Sequence, residues 1–198
     1  PRKIMDKLTK SDLLSLEQYS TKRSDFRSRV MAHKKNRRIA LGEHINLYFE
    51  DRLTMHYQVQ EMLRAEKIFE AHGIDEELDT YNPLIPDGAN LKATMMIEYH
   101  DIDQRQRALA SLVGVESKIW IQVQGFEKVY PISDEDLERS DENKTSAVHF
   151  LRFEFDQGSL DAAKAGADIG MGVDHKNYRH EVKNLDEAQR LALVADFM

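Results

Sequence analysis

The stretch LKATMMIEYH, residues 91–100, is where the hydrophobic pattern changes its period. Met95, Ile97 and Tyr99 fall on one side of an extended chain, and Thr94, Met96, Glu98 and His100 on the other. Alternation of this kind marks a half-buried strand. Downstream, SKIWIQVQG (117–125), EKVYPI (127–132), SAVHFLRFEF (146–155) and the glycine-rich ADIGMGV (167–173) read the same way, with a tight hairpin at Gly125-Phe126. DQRQRALASLVG (103–114) reads as a helix closed by Gly114, and SLDAAKAG (159–166) as a short helix capped by Ser159. LDEAQRLALVADF (185–197) is a closing helix with a capping box at Asp186 and Gln189.

Upstream of Leu91 the pattern is helical. RLTMHYQVQEMLRAEKIFEAHG (52–73) predicts one long helix, capped by Asp51 and closed by Gly73, with Met55, Val59, Met62 and Leu63 along one stripe. TKSDLLSLEQY (9–19), with Ser11 as N-cap, and SDFRSRVMAHKKNRR (24–38) predict two further helices. IDEELDTYN (74–82) predicts a short acidic one capped by Asp75, and PLIPDGAN (83–90) a loop. Residues 43–50 read as a strand, from the alternation of Ile45, Leu47 and Phe49, with a helix as the alternative. The expected fold is α+β in one domain, residues 1–198. A helical part to about residue 82 includes the long helix and packs on a mainly antiparallel C-terminal sheet from about residue 90, followed by the closing helix.

Composition narrows the chemistry. The 198 residues contain no cysteine, which removes thiol catalysis and thiolate metal sites. No leader or membrane span is visible, and a cytoplasmic protein is expected. The net charge of −7 argues against nucleic-acid binding. Residues 22–38 nevertheless hold eight basic residues against one acid, Asp25, and SDEDLERSDE (133–142) carries part of the counterweight. Arg27, Lys34, Lys35, Arg37 and Arg38 are candidates for docking an anion or an acidic partner; a solvated helix face is the plainer reading.

The alternation makes a second expectation. One sheet face gathers Met95, Ile97, Tyr99, Ile119, Ile121, Val123, Leu151, Phe153 and Phe155, a core face for the long helix to cover. The other gathers Glu98, His100, Trp120, Gln122, Phe150, Arg152 and Glu154. Trp120, Gln122, Arg152 and Glu154 on that mixed face are candidates for a groove or a dimer interface; a solvated face with Glu98–Arg152 pairing is the alternative.

Histidines and carboxylates without cysteine suit iron, manganese or zinc. No diagnostic metal spacing occurs. Glu98 and His100 share a strand face, and with His44 they form the candidate ligand set. His56 lacks ligands one turn away, so it is read as a half-buried histidine whose ring finds a carbonyl or carboxylate. No nucleophile elbow or phosphate-cradling loop is present.

Five segments in order, LLSLEQYSTKRSDFRSRVMAHKKNRRIALGEHI (13–45), FEDRLTMHYQVQEMLRAEKIFE (49–70), YNPLIPDGANLKATMMIEY (81–99), TSAVHFLRFEF (145–155) and GVDHKNYRHEV (172–182), resemble a bacterial family, domain of unknown function 3501. The chain departs from it at Glu43, where a proline is expected. The resemblance implies genes lying near those of rubrerythrin and iron–sulfur oxidoreductases, and so an accessory role in oxidative-stress or electron-transfer systems beside a redox protein. It carries over no catalytic residues. The contrasting expectation is a non-catalytic, dimeric protein that docks an acidic partner.

Overall fold

The structure is a computed structural model, described here for residues 6–198. Its architecture is α+β, with six α-helices and two antiparallel sheets among the described residues. In chain order the elements are α1 (Leu16–Lys34), β1 (Arg38–Leu41), β2 (Ile45–Glu50), α2 (Arg52–Ala65), α3 (Ala71–Tyr81), β3 (Asn90–Ile97), α4 (Ile102–Ser111), β4 (Ile119–Val123), β5 (Ile132–Ser133), β6 (Val148–Glu154), α5 (Gln157–Lys164), β7 (Ile169–His175), β8 (Tyr178–Val182) and α6 (Glu187–Val194).

The N-terminal helical reading needs redrawing. Residues 16–34 form one helix, not two. Ser15 caps it by accepting from the Gln18 amide, and Gln18 reaches back to the Ser15 amide, so the start lies four residues beyond Ser11. Residues 52–73 do the opposite and divide. α2 stops at Ala65 because Lys67 adopts a left-handed conformation, φ 53°, and the Ile68 amide bonds back to the Leu63 carbonyl. That is a Schellman closure made without glycine. Gly73 sits inside the first turns of α3, whose N-cap is Glu70 rather than Asp75. Residues 45–50 are extended as expected, and Asp51 caps α2 by accepting from the Thr54 amide.

The β-strands do not form one layer. The larger sheet has the order β1-β2-β3-β6-β5, and β4-β7-β8 form a separate sheet. The turn at Gly125 forms, with φ +92°, but its return limb makes only an Ile121–Val129 bridge. Pro131 follows directly; it has no amide to continue a ladder. β5 is therefore two residues long and crosses to β6 of the larger sheet. The 178–182 strand, unassigned from sequence, closes the small sheet as a hairpin with β7.

The expected core face is real, but the second sheet covers it. Leu47, Met95, Leu151 and Phe153 of the larger sheet share one apolar cluster with Ile119, Ile121, Met171 and Val173 of the smaller, sealed by Leu160 of α5 and Leu193 of α6. Met55, Val59 and Leu63 of α2 instead join Leu8, Leu78 and Ile85 in a second cluster.

Candidate functional site

One polar residue lies in phase with the core face of β6. His149 alternates with Leu151 and Phe153 and stands opposite Met95 of β3, fully buried. A buried imidazole has to satisfy both ring nitrogens. Neighbouring strands cannot do so, because their own groups are committed to the ladder. The connection between β5 and β6 supplies the partners.

Asp134, just after β5, is held at φ 52°, a backbone region that aspartate tolerates better than most residues. There its Oδ2 lies 2.6 Å from His149 Nδ1, its Oδ1 accepts from the Phe150 amide, and its own amide donates to the Phe150 carbonyl. On the other side of the ring, Nε2 lies 2.8 Å from Thr145 Oγ1 and 2.9 Å from the Ser146 carbonyl oxygen. Thr145 Oγ1 is 2.6 Å from Ser140 Oγ, and Ser140 donates to Glu116 Oε1 at 3.2 Å. Glu116 lies in the single 3-10 turn before β4.

Counting protons fixes the direction of this chain. Ser140 has one hydroxyl proton, which goes to Glu116, so Thr145 donates to Ser140. Thr145 then accepts from His149 Nε2, and the Ser146 carbonyl can only accept. The ring therefore donates from Nε2, and its Nδ1 faces the Asp134 carboxylate. The distances Asp134–His149–Thr145 resemble a nucleophilic triad, but Nε2 has no lone pair facing the hydroxyl, and Thr145 is 2 % exposed. The arrangement does not activate a nucleophile. It does gather two carboxylates and one imidazole. The ligand atoms of Glu116, Asp134 and His149 lie within 4.8 Å of one another, the only such group among the described residues, and Glu116 Oε2 is buried with no hydrogen-bond partner.

Two depressions flank the cluster. One, of about 560 Å³, opens onto Ser140, Thr145 and Ser146. The other, of about 530 Å³, runs between the end of α3 and β6, lined by Tyr81, Pro83, Leu84, Lys92, Phe150 and Arg152. Arg139 borders both; it pairs with Asp136 and lies over the Phe150 ring at 4.7 Å. Burial lowers the pKa of Lys92, whose Nζ donates to the Pro83 carbonyl.

The residues singled out from sequence are dispersed. His44 Nδ1 lies 2.9 Å from the Glu98 carbonyl oxygen, and the ring stacks on Tyr99 at 3.8 Å. The Glu98 carboxylate accepts from Asn46 and Tyr48, and His100 is exposed in the loop after β3. Trp120 and Gln122 belong to the small sheet, Arg152 and Glu154 to the large one. Trp120 is 3 % exposed, lies against Gly172, and has the Lys128 ammonium 4.2 Å from its ring. Gln122 donates to the Phe126 carbonyl. Arg152 stands opposite Lys92, not Glu98, and pairs with Glu135 and Glu154. His56 packs its ring on Phe26, and its Nε2 has no hydrogen-bond partner; burial lowers its pKa.

Within the basic segment, Arg37 cannot dock anything. It is 2 % exposed and donates to the carbonyls of Phe49, Glu50 and Ala192 and to the Asp196 carboxylate at 2.5 Å. Asp51 lies 3.7 Å away and meets His33 at 2.6 Å. Burial pushes Asp196 up to about 6 despite Arg37. Burial opposes ionisation of Asp51 as well, but the His33 hydrogen bond and the Arg37 charge hold its pKa below the ordinary value. Arg27, Lys35 and Arg38 are exposed and Lys34 half-buried, with Arg38 5.9 Å from the Tyr48 ring.

The family model described as "Protein of unknown function (DUF3501)" matches residues 7–197. The chain belongs to that family. A crystal structure of a protein of unknown function from Burkholderia pseudomallei K96243 is similar to this DUF3501 chain at 47 % identity and TM-score 0.93, covering 98 % of this chain and 100 % of that one. No curated protein matches the chain. No helix among the described residues is long and apolar enough to cross a membrane.

The sequence holds one signal for the cluster. His149 sits at a core-facing position of an otherwise apolar strand phase, between Ala147 and Leu151. Glu116 carries no such signal, because it reaches His149 only through the Ser140 and Thr145 hydroxyls.

Proposed function

We propose that this DUF3501 protein is a divalent-metal-binding accessory factor, with Glu116, Asp134 and His149 as its protein ligands. The observation that supports the reading is the group itself: two carboxylates and an imidazole converging in the interior, with one carboxylate oxygen, Glu116 Oε2, lacking a partner. A buried acceptor left without a donor is costly, and a cation would satisfy it. A cation would take the place of one ring proton of His149. Mixed oxygen and imidazole donors suit iron, manganese or zinc, acting as Lewis acid or redox centre. A role beside oxidative-stress or electron-transfer proteins follows from the family association and has no residue of its own to support it.

Elemental analysis of protein purified without an affinity tag tests the ligand set. About one equivalent of metal is expected, and Glu116→Gln, which keeps the side chain's shape, lowers affinity by roughly tenfold or more. Protein that is metal-free and takes up none of Mn²⁺, Fe²⁺ or Zn²⁺ refutes the reading, as does undiminished binding in both Glu116→Gln and Asp134→Asn.

A second reading, a dimer that docks an acidic protein partner, draws on the exposed Arg27, Lys35 and Arg38. Salt-sensitive association through those residues, without metal, would favour it.

A further inference from the structure

The exposed side of α1 carries a pattern that neither the metal cluster nor the fold uses. Ser20, Arg23, Ser24, Arg27 and Ser28 follow one another at helical spacing, so all five project to one side. Opposite them stands Arg64, in the last turn of α2. Together these six residues line an open depression of about 580 Å³ whose lining contains no carboxylate.

The three arginines are not equivalent. Arg23 is fixed: its Nε and Nη2 make a two-pronged pair with Glu61 at 2.9 and 2.7 Å. Glu61 is fixed in turn by Tyr19 and Tyr57, and the Arg23 hydrogen bonds hold its pKa down at about 2. The side chains of Arg27 and Arg64 have no hydrogen bond, ion pair or ring contact with any described residue. Two uncompensated guanidinium groups from different helices thus share a depression with three hydroxyls, and a third, anchored guanidinium forms its wall. Planar forks that donate in pairs, flanked by hydroxyl donors on the same side, can each take separate oxygens of a tetrahedral oxyanion, which offers three or more where a carboxylate offers two.

We propose that the α1–α2 depression is a binding site for a phosphoryl group, with Arg27 and Arg64 as the clamping residues, Arg23 as the positioned wall, and Ser20, Ser24 and Ser28 as hydroxyl donors. This site is separate from the metal cluster, so either can fail without the other.

The test is calorimetric titration of the full chain in chloride buffer with inorganic phosphate and, separately, with O-phosphoserine. One saturable site is expected, with binding weakened by roughly tenfold or more in Arg27→Ala and in Arg64→Ala. Both side chains are exposed, so neither variant should disturb folding. Lys35→Ala, which removes the same charge from the far end of the basic segment, leaves binding unchanged. Equal affinity for both probes identifies free phosphate as sufficient, and tighter binding of O-phosphoserine identifies an esterified phosphate; either supports the site. Absence of saturable binding of both probes up to about 10 mM, an affinity too weak to matter, overturns it. An equal loss in Lys35→Ala also overturns it, since that result means diffuse charge and no built site.

Discussion

Replacing Arg37 with alanine separates a structural role from a docking role. The guanidinium makes hydrogen bonds to three main-chain carbonyls and to Asp196, and its side chain is 2 % exposed. These contacts tie the chain after α1 to the end of β2 and to the C-terminal turn of α6. Breaking a buried pair by removing one partner costs about 3–5 kcal/mol. The Phe49 and Ala192 carbonyls would also be orphaned, at about 1–3 kcal/mol each if no water reaches them. Asp196 can escape part of the cost by taking a proton, since burial already raises its pKa to about 6. These terms overlap and do not add. A net loss of about 4 kcal/mol is expected, a large share of the ~5–15 kcal/mol that holds an ordinary domain together.

Equilibrium urea denaturation at pH 7.5 measures it. Arg38→Ala, one residue on and exposed, should change stability by no more than about 0.5 kcal/mol. The double replacement Arg37→Met with Asp196→Asn should cost less than the two single changes summed, because neither charge is then left alone. The reasoning fails if Arg37→Ala costs under about 1 kcal/mol, or if the double variant is simply additive.

Three further outcomes follow from particular contacts. Asp196 binds its proton more tightly in the folded chain, at about 6 against an ordinary 3.8, so its contribution to stability grows as pH falls from 7 towards 4, by about 3 kcal/mol. The burial-raised Glu50 acts in the same direction, while Asp51, whose pKa is lowered, loses its contribution only in more acidic solution. Urea midpoints between pH 7 and 5 should therefore show a smaller gain on acidification in Asp196→Asn than in the native chain. An added Cβ at Gly172 would lie 2.4 Å from the Trp120 ring and 2.8 Å from the His180 carbonyl oxygen. Gly172→Ala should cost about 1–3 kcal/mol and shift the fluorescence of the single tryptophan; an unchanged spectrum and midpoint would show that the small sheet yields freely. Tyr178 Oη accepts from the amides of His44 and Ile45 and donates to the Leu41 carbonyl, so it braces the β1–β2 turn. Tyr178→Phe should cost about 1–2 kcal/mol and speed hydrogen exchange at those two amides, and unaltered exchange there would remove the brace.

What could be read from the sequence was set by the range of the interaction responsible. Alternation is a property of adjacent residues, so the strands around Met95, Ile121 and Phe153 and the faces they present were readable in advance. Capping is equally local, hence Asp51 at α2 and Asp186–Gln189 at α6. The break between α2 and α3 was not, because the left-handed closing residue is Lys67, whereas residue type points to the glycine at position 73. Division of the strands into two sheets was less readable still: it depends on Pro131 ending the return from Gly125 and on β5 crossing to β6. Strand phase alone puts Trp120 on an outer face with Arg152, whereas the small sheet's own glycine at position 172 makes room for it inside.

The His149 cluster shows how far such a reading can reach. A histidine in phase with Leu151, Phe153 and Phe155 is a demand for two hydrogen-bond partners in an apolar layer. Strand neighbours have none to spare, so the partners must come from chain that leaves the sheet. Near β6 in this sequence, the polar stretch between β5 and β6 is the nearest source, and Asp134, Ser140 and Thr145 all lie within it. That inference needs only the strand phase and the order of elements. Glu116 is different. It enters through a 3-10 turn whose position depends on how the two sheets stack, and no local pattern announces it. The same stacking leaves Glu116 Oε2 without a donor, so the residue hardest to foresee is also the one on which the metal reading most depends.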